Sequence, residues 1–264
     1  MQLAETVHHH HDVLWGDMSV IGSGQAHHIR KLFFAAMLSV TALVLAPPGL
    51  PTVGAEGCPD VEVIFARGTF EPPGVGGIGQ AFVDQLKAQP QLGGKSVDVY
   101  PVNYPASLNF STAADGVTDA SNRVRDMAGR CPNAKIVLGG YSQGAAVAGY
   151  VTADKIPDGY VAPNGITGPM APDIANHVAA VALFGKPSNG FLNSIDRSAP
   201  PITVGSLYAA KTIDQCVPDD PICSPTGSDN GAHQAYADNG MTAQAATFAA
   251  QKVTSAAVVD TASR

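Results

Sequence analysis

Charge is scarce in this chain of 264 residues: Asp, Glu, Lys and Arg make up only 14% of it, and no block of lysine or arginine stands out. That absence argues against nucleic acid or an anionic membrane as the main partner, since both are held by clustered basic side chains. The formal net charge of −7 promotes solubility and says little about substrate. Long apolar runs are missing as well. The stretch Leu32 to Ala46 stops at Pro47-Pro48, well short of the roughly 20 residues that a spanning helix needs. No internal repeat and no interdomain linker break the chain, so one good-sized domain accounts for its length. The cysteines lack the Cys-x2–4-Cys spacing or the nearby histidines of a zinc site.

What is present begins with a leader. Arg30-Lys31, the apolar stretch and then Val53-Gly54-Ala55 have the order of a signal peptide, with cleavage expected after Ala55. An uncleaved anchor fits less well. A lipoprotein anchor at Cys58 lacks the Leu three residues ahead that it would need. Residues 1–28 make an unusually long polar lead, which a start codon placed too far upstream, with Met18 as the true start, would explain. The run His8 to His11 could bind metal, but it falls within this leader. The expected organisation is therefore a leader at 1–55 and a mature domain at 56–264, secreted and without stable membrane insertion. All four cysteines, Cys58, Cys131, Cys216 and Cys223, lie beyond the cleavage point, where export permits disulfides. Four cysteines allow three connectivities. A local Cys216–Cys223 bridge would leave Cys58–Cys131, and the chain-entropy model gives them about 2.5 and about 4.4 kcal/mol as upper estimates.

The mature part alternates strand-like and helix-like runs. Val61 to Ala66 reads as a strand that ends in the loop Arg67-Gly68-Thr69. After a Gly/Pro-rich turn, Ile78, Phe82 and Leu86 recur at helical spacing. Val97 to Val102 is the next strand. The segment 113–128 places Ala113, Val117, Ala120, Val124 and Met127 on one helical face. Lys135 to Gly139 is a short buried strand, and Ala145 to Val151 begins another helix. Val178 to Phe184 is apolar at every position, as suits a parallel strand covered on both faces. Either Ile202 to Val204 or Lys211 to Ile213 supplies a last strand, and 241–259 reads as a closing helix. The alternation predicts a three-layer α/β/α sandwich around a mainly parallel central sheet.

The chemistry points to Gly140-Tyr141-Ser142-Gln143-Gly144. Gly-x-Ser-x-Gly alone is weak in a chain with 28 glycines, and context must support it. Here an apolar strand runs straight into the motif and a small-residue helix follows. That is the elbow that lifts a serine above the C-terminal edge of a sheet, with helix N–H groups where an oxyanion would develop. A serine nucleophile needs a base. Of the eight histidines, only His177 and His233 lie outside the leader. The chain order Ser, acid, His favours His233, and His177 reads as structural at the start of a buried strand. For the acid, Asp214, Asp219, Asp220 and Asp229 all qualify by spacing.

Three blocks of the sequence then carry a resemblance. Cys58-Pro-Asp-Val-Glu-Val-Ile-Phe-Ala-Arg-Gly-Thr, Cys131-Pro-Asn-Ala-Lys-Ile-Val-Leu-Gly-Gly-Tyr-Ser-Gln-Gly and Cys216-Val-Pro-Asp-Asp-Pro-Ile-Cys223 resemble the signature blocks of cutinases. The nearest likeness is to the secreted cutinase-like serine esterases of mycobacteria and related actinobacteria, from Cys58 to about Val253. The resemblance implies an α/β-hydrolase fold, a Ser142–His233–Asp220 triad, and an oxyanion hole from the backbone N–H groups of Thr69 and Gln143. It also implies the pairs Cys58–Cys131 and Cys216–Cys223, and a reaction through an acyl-enzyme with no metal or organic cofactor.

The loop before the histidine, Ser224 to Ala232, is polar and glycine-rich, where fungal cutinases carry large apolar residues. Leu108 and Phe110 are candidates for the other apolar rim, with core positions as the alternative. Carboxylic esters of short to medium acyl chain are therefore the expected substrates, with cutin or other polymer and lipid esters less secure. Acetyl-xylan esterase, phospholipase, lipase and thioesterase activities stay open. The competing class is a secreted, non-catalytic binding or antigen-like protein on the same fold. A monomer is expected.

Overall fold

The apolar runs become strands. In the computed structural model, which describes residues 57–157, 162 and 165–262, β1 is Val61–Ala66, β2 Val97–Pro101, β3 Lys135–Tyr141, β4 Val178–Phe184 and β5 Thr212–Gln215. They form one sheet in the order β2-β1-β3-β4-β5, with every neighbouring pair parallel. The expected leader, its expected cleavage site and the run His8 to His11 lie outside the described residues. Of the two candidates for the last strand, the later one is correct. Ile202 instead sits in a loop and packs on Ala146 and Leu192.

The helices are α1 (Gly76–Lys87), α2 (Ala113–Arg130), α3 (Gln143–Val151), α4 (Pro172–Ala175), α5 (Asn189–Ile195), α6 (Ser206–Ala209) and α7 (Met241–Ala262). Alternate residues of β1 serve opposite faces. Val61, Val63 and Phe65 pack with Phe82 and Leu86 of α1 and with the alanines of α7. Ile64 and Ala66 face Val124 and Met127 of α2 and Val147 of α3. That is the predicted three-layer sandwich. In α7 the buried face is Ala245, Ala246, Ala249, Ala250 and Val253; small side chains let this strong helix former lie close on the sheet. Glu62, the acidic residue within β1, is buried and is neutralised by the Arg123 guanidinium from α2.

Both cysteine pairs are formed, Cys58–Cys131 and Cys216–Cys223. The first ties the chain ahead of β1 to the end of α2. The second closes a tight loop after β5. Because β2 lies on one side of β1 and β3 on the other, the chain reverses direction across the sheet between β1 and β3. Such a switch point opens a crevice beyond the C-terminal strand ends, where α/β proteins place their ligands. Among the described residues no helix is long and apolar enough to cross a membrane.

Candidate active site

Ser142 stands at that crevice, in the turn from β3 into α3. Its backbone has φ 55° and ψ −118°, a conformation that a residue with a Cβ adopts only under constraint from its surroundings. The constraint comes from close backbone packing. A Cβ on Gly140 would lie 2.1 Å from the Gly144 carbonyl oxygen, and one on Gly144 would lie 2.0 Å from that of Ala66. Glycine at both positions is thus a steric requirement of the elbow. The Ser142 N–H donates to the Phe184 carbonyl at 2.9 Å, tying the elbow to β4. Gln143 and Gly144 open α3, so their N–H groups have no acceptor within the helix.

His233 faces Ser142 from a short 3-10 helix, Ala232–Ala237. Its Nε2 is 2.8 Å from Ser142 Oγ and its Nδ1 is 2.8 Å from Asp220 Oδ2. With the carboxylate oxygen accepting, Nδ1 carries the proton and Nε2 is left to accept from the serine hydroxyl. The Tyr141 hydroxyl donates to the His233 carbonyl at 2.7 Å, and the two rings lie 4.9 Å apart. Gly185 has φ +57°, and a Cβ there would sit 2.9 Å from His233 Cε1 and 3.1 Å from Asp220 Oδ2. Only glycine leaves that space to the imidazole and carboxylate.

Asp220 is fully buried inside the Cys216–Cys223 loop. Besides His233 it accepts from the Ile222 N–H at 2.8 Å and from the Tyr236 hydroxyl at 2.5 Å. Burial, and then the bond to Asp220, push the Tyr236 phenol well above its ordinary pKa, which keeps it a donor. The other acidic candidates are engaged elsewhere. Asp214 pairs with Lys186 at 3.3 Å, Asp219 accepts from the Ser228 N–H at 2.9 Å, and Asp229 accepts from the Gly231 N–H at 2.8 Å. His177 lies just ahead of β4, at the strand end opposite the crevice, where its carbonyl accepts from the Ile136 N–H.

The loop after β1 forms the other wall, and Thr69 lies in it. Arg67 is buried; it donates to the Glu71 carbonyl at 2.8 Å and to the Tyr104 carbonyl at 2.7 Å, while the Tyr104 hydroxyl donates back to the Arg67 carbonyl. The Glu71 carboxylate accepts from the Gly68 N–H at 2.6 Å and from the Gly77 N–H, in the first turn of α1, at 2.7 Å. An acidic group is favoured there by the helix dipole. The Gln143 side chain reaches across to donate to the Ser107 carbonyl at 2.9 Å. Of the two expected rim residues, Leu108 is exposed. Phe110 instead lines a separate cavity with Val117, Arg125, Tyr150 and Met170, which contains no part of the Ser–His–Asp chain.

Sequence reasoning missed Tyr236, Tyr141, Arg67 and Glu71 as supports of the site. Tyr141 stands inside the elbow motif, and Arg67 beside Thr69, so proximity was the available signal for both. Tyr236 follows His233 by one helical turn, which nothing in the pattern distinguished. Among the described residues no group of three or more His, Cys, Asp or Glu side chains converges as metal ligands would.

A parallel sheet sandwiched by helices, an elbow serine at positive φ and a serine–histidine–aspartate hydrogen-bond chain define an α/β-hydrolase. The cutinase family model matches residues 57–253, and the chain belongs to the cutinase family. It is similar to the carboxylesterase Culp1 of Mycobacterium tuberculosis (strain ATCC 25618 / H37Rv), 47% identical over 225 residues that span 84% of this chain and 95% of the relative. It is also similar to the phospholipase Culp4 of the same strain, 44% identical over 231 residues that span 88% and 94%. Among solved structures, Trichoderma reesei cutinase in complex with a C11Y4 phosphonate inhibitor is 31% identical with a TM-score of 0.54, over 74% of this chain and 77% of that one.

Proposed function

We propose that this chain is an exported serine esterase that hydrolyses carboxylic esters through an acyl-enzyme, with Ser142 as nucleophile, His233 as general base and Asp220 as its orienting acid. The observation that carries the reading is the pair of 2.8 Å contacts that His233 makes, one nitrogen to Ser142 Oγ and the other to Asp220 Oδ2. His233 takes the hydroxyl proton through Nε2 as Oγ attacks the ester carbonyl, and Asp220 stabilises the resulting imidazolium. The N–H groups of Gln143, at the start of α3, and of Thr69 receive the tetrahedral oxyanion. The imidazolium then protonates the departing alcohol. Water, deprotonated by the same imidazole, releases the acid from Ser142.

Esters of short to medium acyl chain suit a crevice whose histidine-side loop is polar, and lipid esters extend the same chemistry. Both disulfides support export, with residues 1–55 as the leader and 56–264 as the catalytic domain. Labelling with a fluorophosphonate tests the reaction class. A single adduct is expected on Ser142, lost in Ser142→Ala together with turnover of p-nitrophenyl esters. A folded protein that neither labels nor turns over ester is the binding module instead.

A further inference from the structure

Phe70 occupies a position that is unfavourable for it on two grounds. Its φ of 65° is in the left-handed region, which disfavours any residue with a Cβ. The residue is also 74% exposed, the highest value among the exposed large hydrophobic residues described; Leu108 follows at 66%, with Leu207 at 43% and Ile195 at 39%. A glycine would relieve the backbone and a polar residue would suit the solvent. Strain held against solvent beside a reactive serine points to a use for the side chain.

The two most exposed of these residues are also brought to the same place. The Phe70 N–H donates to the Ala106 carbonyl at 2.8 Å, and Ala106 is itself left-handed with φ 50°. Next along, the Ser107 carbonyl accepts from the Gln143 side chain at 2.9 Å. Phe70 therefore follows Thr69, the proposed oxyanion donor, and Leu108 follows the residue held by Gln143; a Cβ on Gly68 would lie 2.7 Å from the Tyr141 ring, so this loop packs against the residue that precedes Ser142. Arg67 holds the two loops in this relation through the Tyr104 carbonyl, at 2.7 Å. On the opposite side of Ser142 the loop Ser224 to Ala232 is polar, so the apolar surface at the mouth is one-sided.

We propose that Phe70 is a specificity-determining residue: with Leu108 it forms an apolar clamp at the mouth of the site that receives the acyl chain of the ester. The inference rests on the esterase reading above. In this arrangement the ester carbonyl carbon meets Ser142 Oγ with its oxygen toward Thr69, and the clamp takes the part of the acyl chain that lies beyond the first few carbons. Each methylene fully removed from water there favours binding about fourfold. An acetyl group is too short to reach the ring and gains nothing from it.

The test is a series of soluble p-nitrophenyl esters (acetate, butyrate, octanoate), each kept below its aggregation limit, with Phe70→Gly, Phe70→Leu and the distant control Leu207→Ala. Phe70→Gly is expected to lower the octanoate-to-acetate ratio of kcat/KM about tenfold, mainly through KM, while melting no lower than the parent because glycine suits the positive φ. Phe70→Leu keeps most of the ratio, and Leu207→Ala keeps all of it. An unchanged ratio in Phe70→Gly overturns the clamp and leaves the esterase reading standing. A change seen only with emulsified ester overturns it in favour of a contact with a lipid surface. A wild-type protein that turns over none of the esters overturns the esterase reading and the clamp together.

Discussion

The two walls of the Ser142 crevice are made rigid by different means. The acid–histidine wall is held covalently: the Cys216–Cys223 bridge closes a loop with a sequence separation of 7 around Asp220. Hydroxyls of Tyr236 and Tyr141 then fasten Asp220 and the His233 backbone. The facing wall, from Arg67 to Glu71 with the loop from Tyr104 to Leu108, has no crosslink. It is fastened by a buried guanidinium, a carboxylate shared between Gly68 and Gly77, and a phenol. The difference follows from what each loop can bury. The segment after Cys216 is rich in Pro, Asp, Ser and Gly and removes little apolar area from water, so packing alone does not offset its conformational entropy. The facing wall lies against β1 and α1, where low dielectric strengthens charged hydrogen bonds. One wall is therefore vulnerable to reductant, the other to loss of charge.

The sharpest way to break that comparison is at the acid itself. Asp220→Ala should lower kcat by roughly 10³- to 10⁴-fold, whereas Asp219→Ala, which removes only a carboxylate bonded to Ser228, keeps most of the turnover. If Asp219→Ala were the damaging change, the acid would be misassigned. Steady-state kinetics on one soluble ester decide it.

Arg67→Ala attacks the facing wall. It leaves the buried carbonyl of Tyr104 and the half-buried one of Glu71 without their donor, a loss of about 2–4 kcal/mol, and lets the Thr69 loop shift, which costs up to about hundredfold in kcat. Melting temperature and turnover should fall together. Full turnover in a destabilised Arg67→Ala would show that the network holds the fold and leaves the Thr69 loop in place.

The most discriminating comparison comes from the two disulfides. Cys58→Ser with Cys131→Ser opens a loop with a separation of 73, and Cys216→Ser with Cys223→Ser one of 7, so the chain-entropy model ranks the stability losses at about 4.4 and about 2.5 kcal/mol. Turnover should rank the other way, because the short loop carries Asp220 and the long one lies behind β1. A small-loop mutant that melts far lower yet keeps full turnover when folded would reduce that bridge to a structural staple.

Much of the molecule was legible beforehand because its signals are local. β1 and β4 are runs that are apolar at nearly every position, bounded by polar or glycine residues, so their limits follow from burial on both faces. The elbow is legible because Gly140 and Gly144 bracket Ser142 at the spacing that lets two backbones cross; elimination left His177 and His233, and the chain order Ser, acid, His favoured His233, the histidine that meets Ser142 in the structure. The last strand stayed ambiguous, since Ile202 to Val204 and Lys211 to Ile213 are both short, and only pairing with β4 separates them.

The acid shows the boundary most clearly. From spacing alone Asp214, Asp219, Asp220 and Asp229 were equivalent, and only the family resemblance singled out Asp220. What separates them physically is the path of a loop bent by its disulfide and by a close approach: a Cβ on Gly227 would lie 2.4 Å from the Asp220 carbonyl oxygen. Tyr236, Glu71 and the exposed Phe70 were silent for the same reason. Residue type and period report which side chains leave water. The angle at which a polar group meets its partner is decided by chain segments far apart in sequence, and so by the tertiary structure alone.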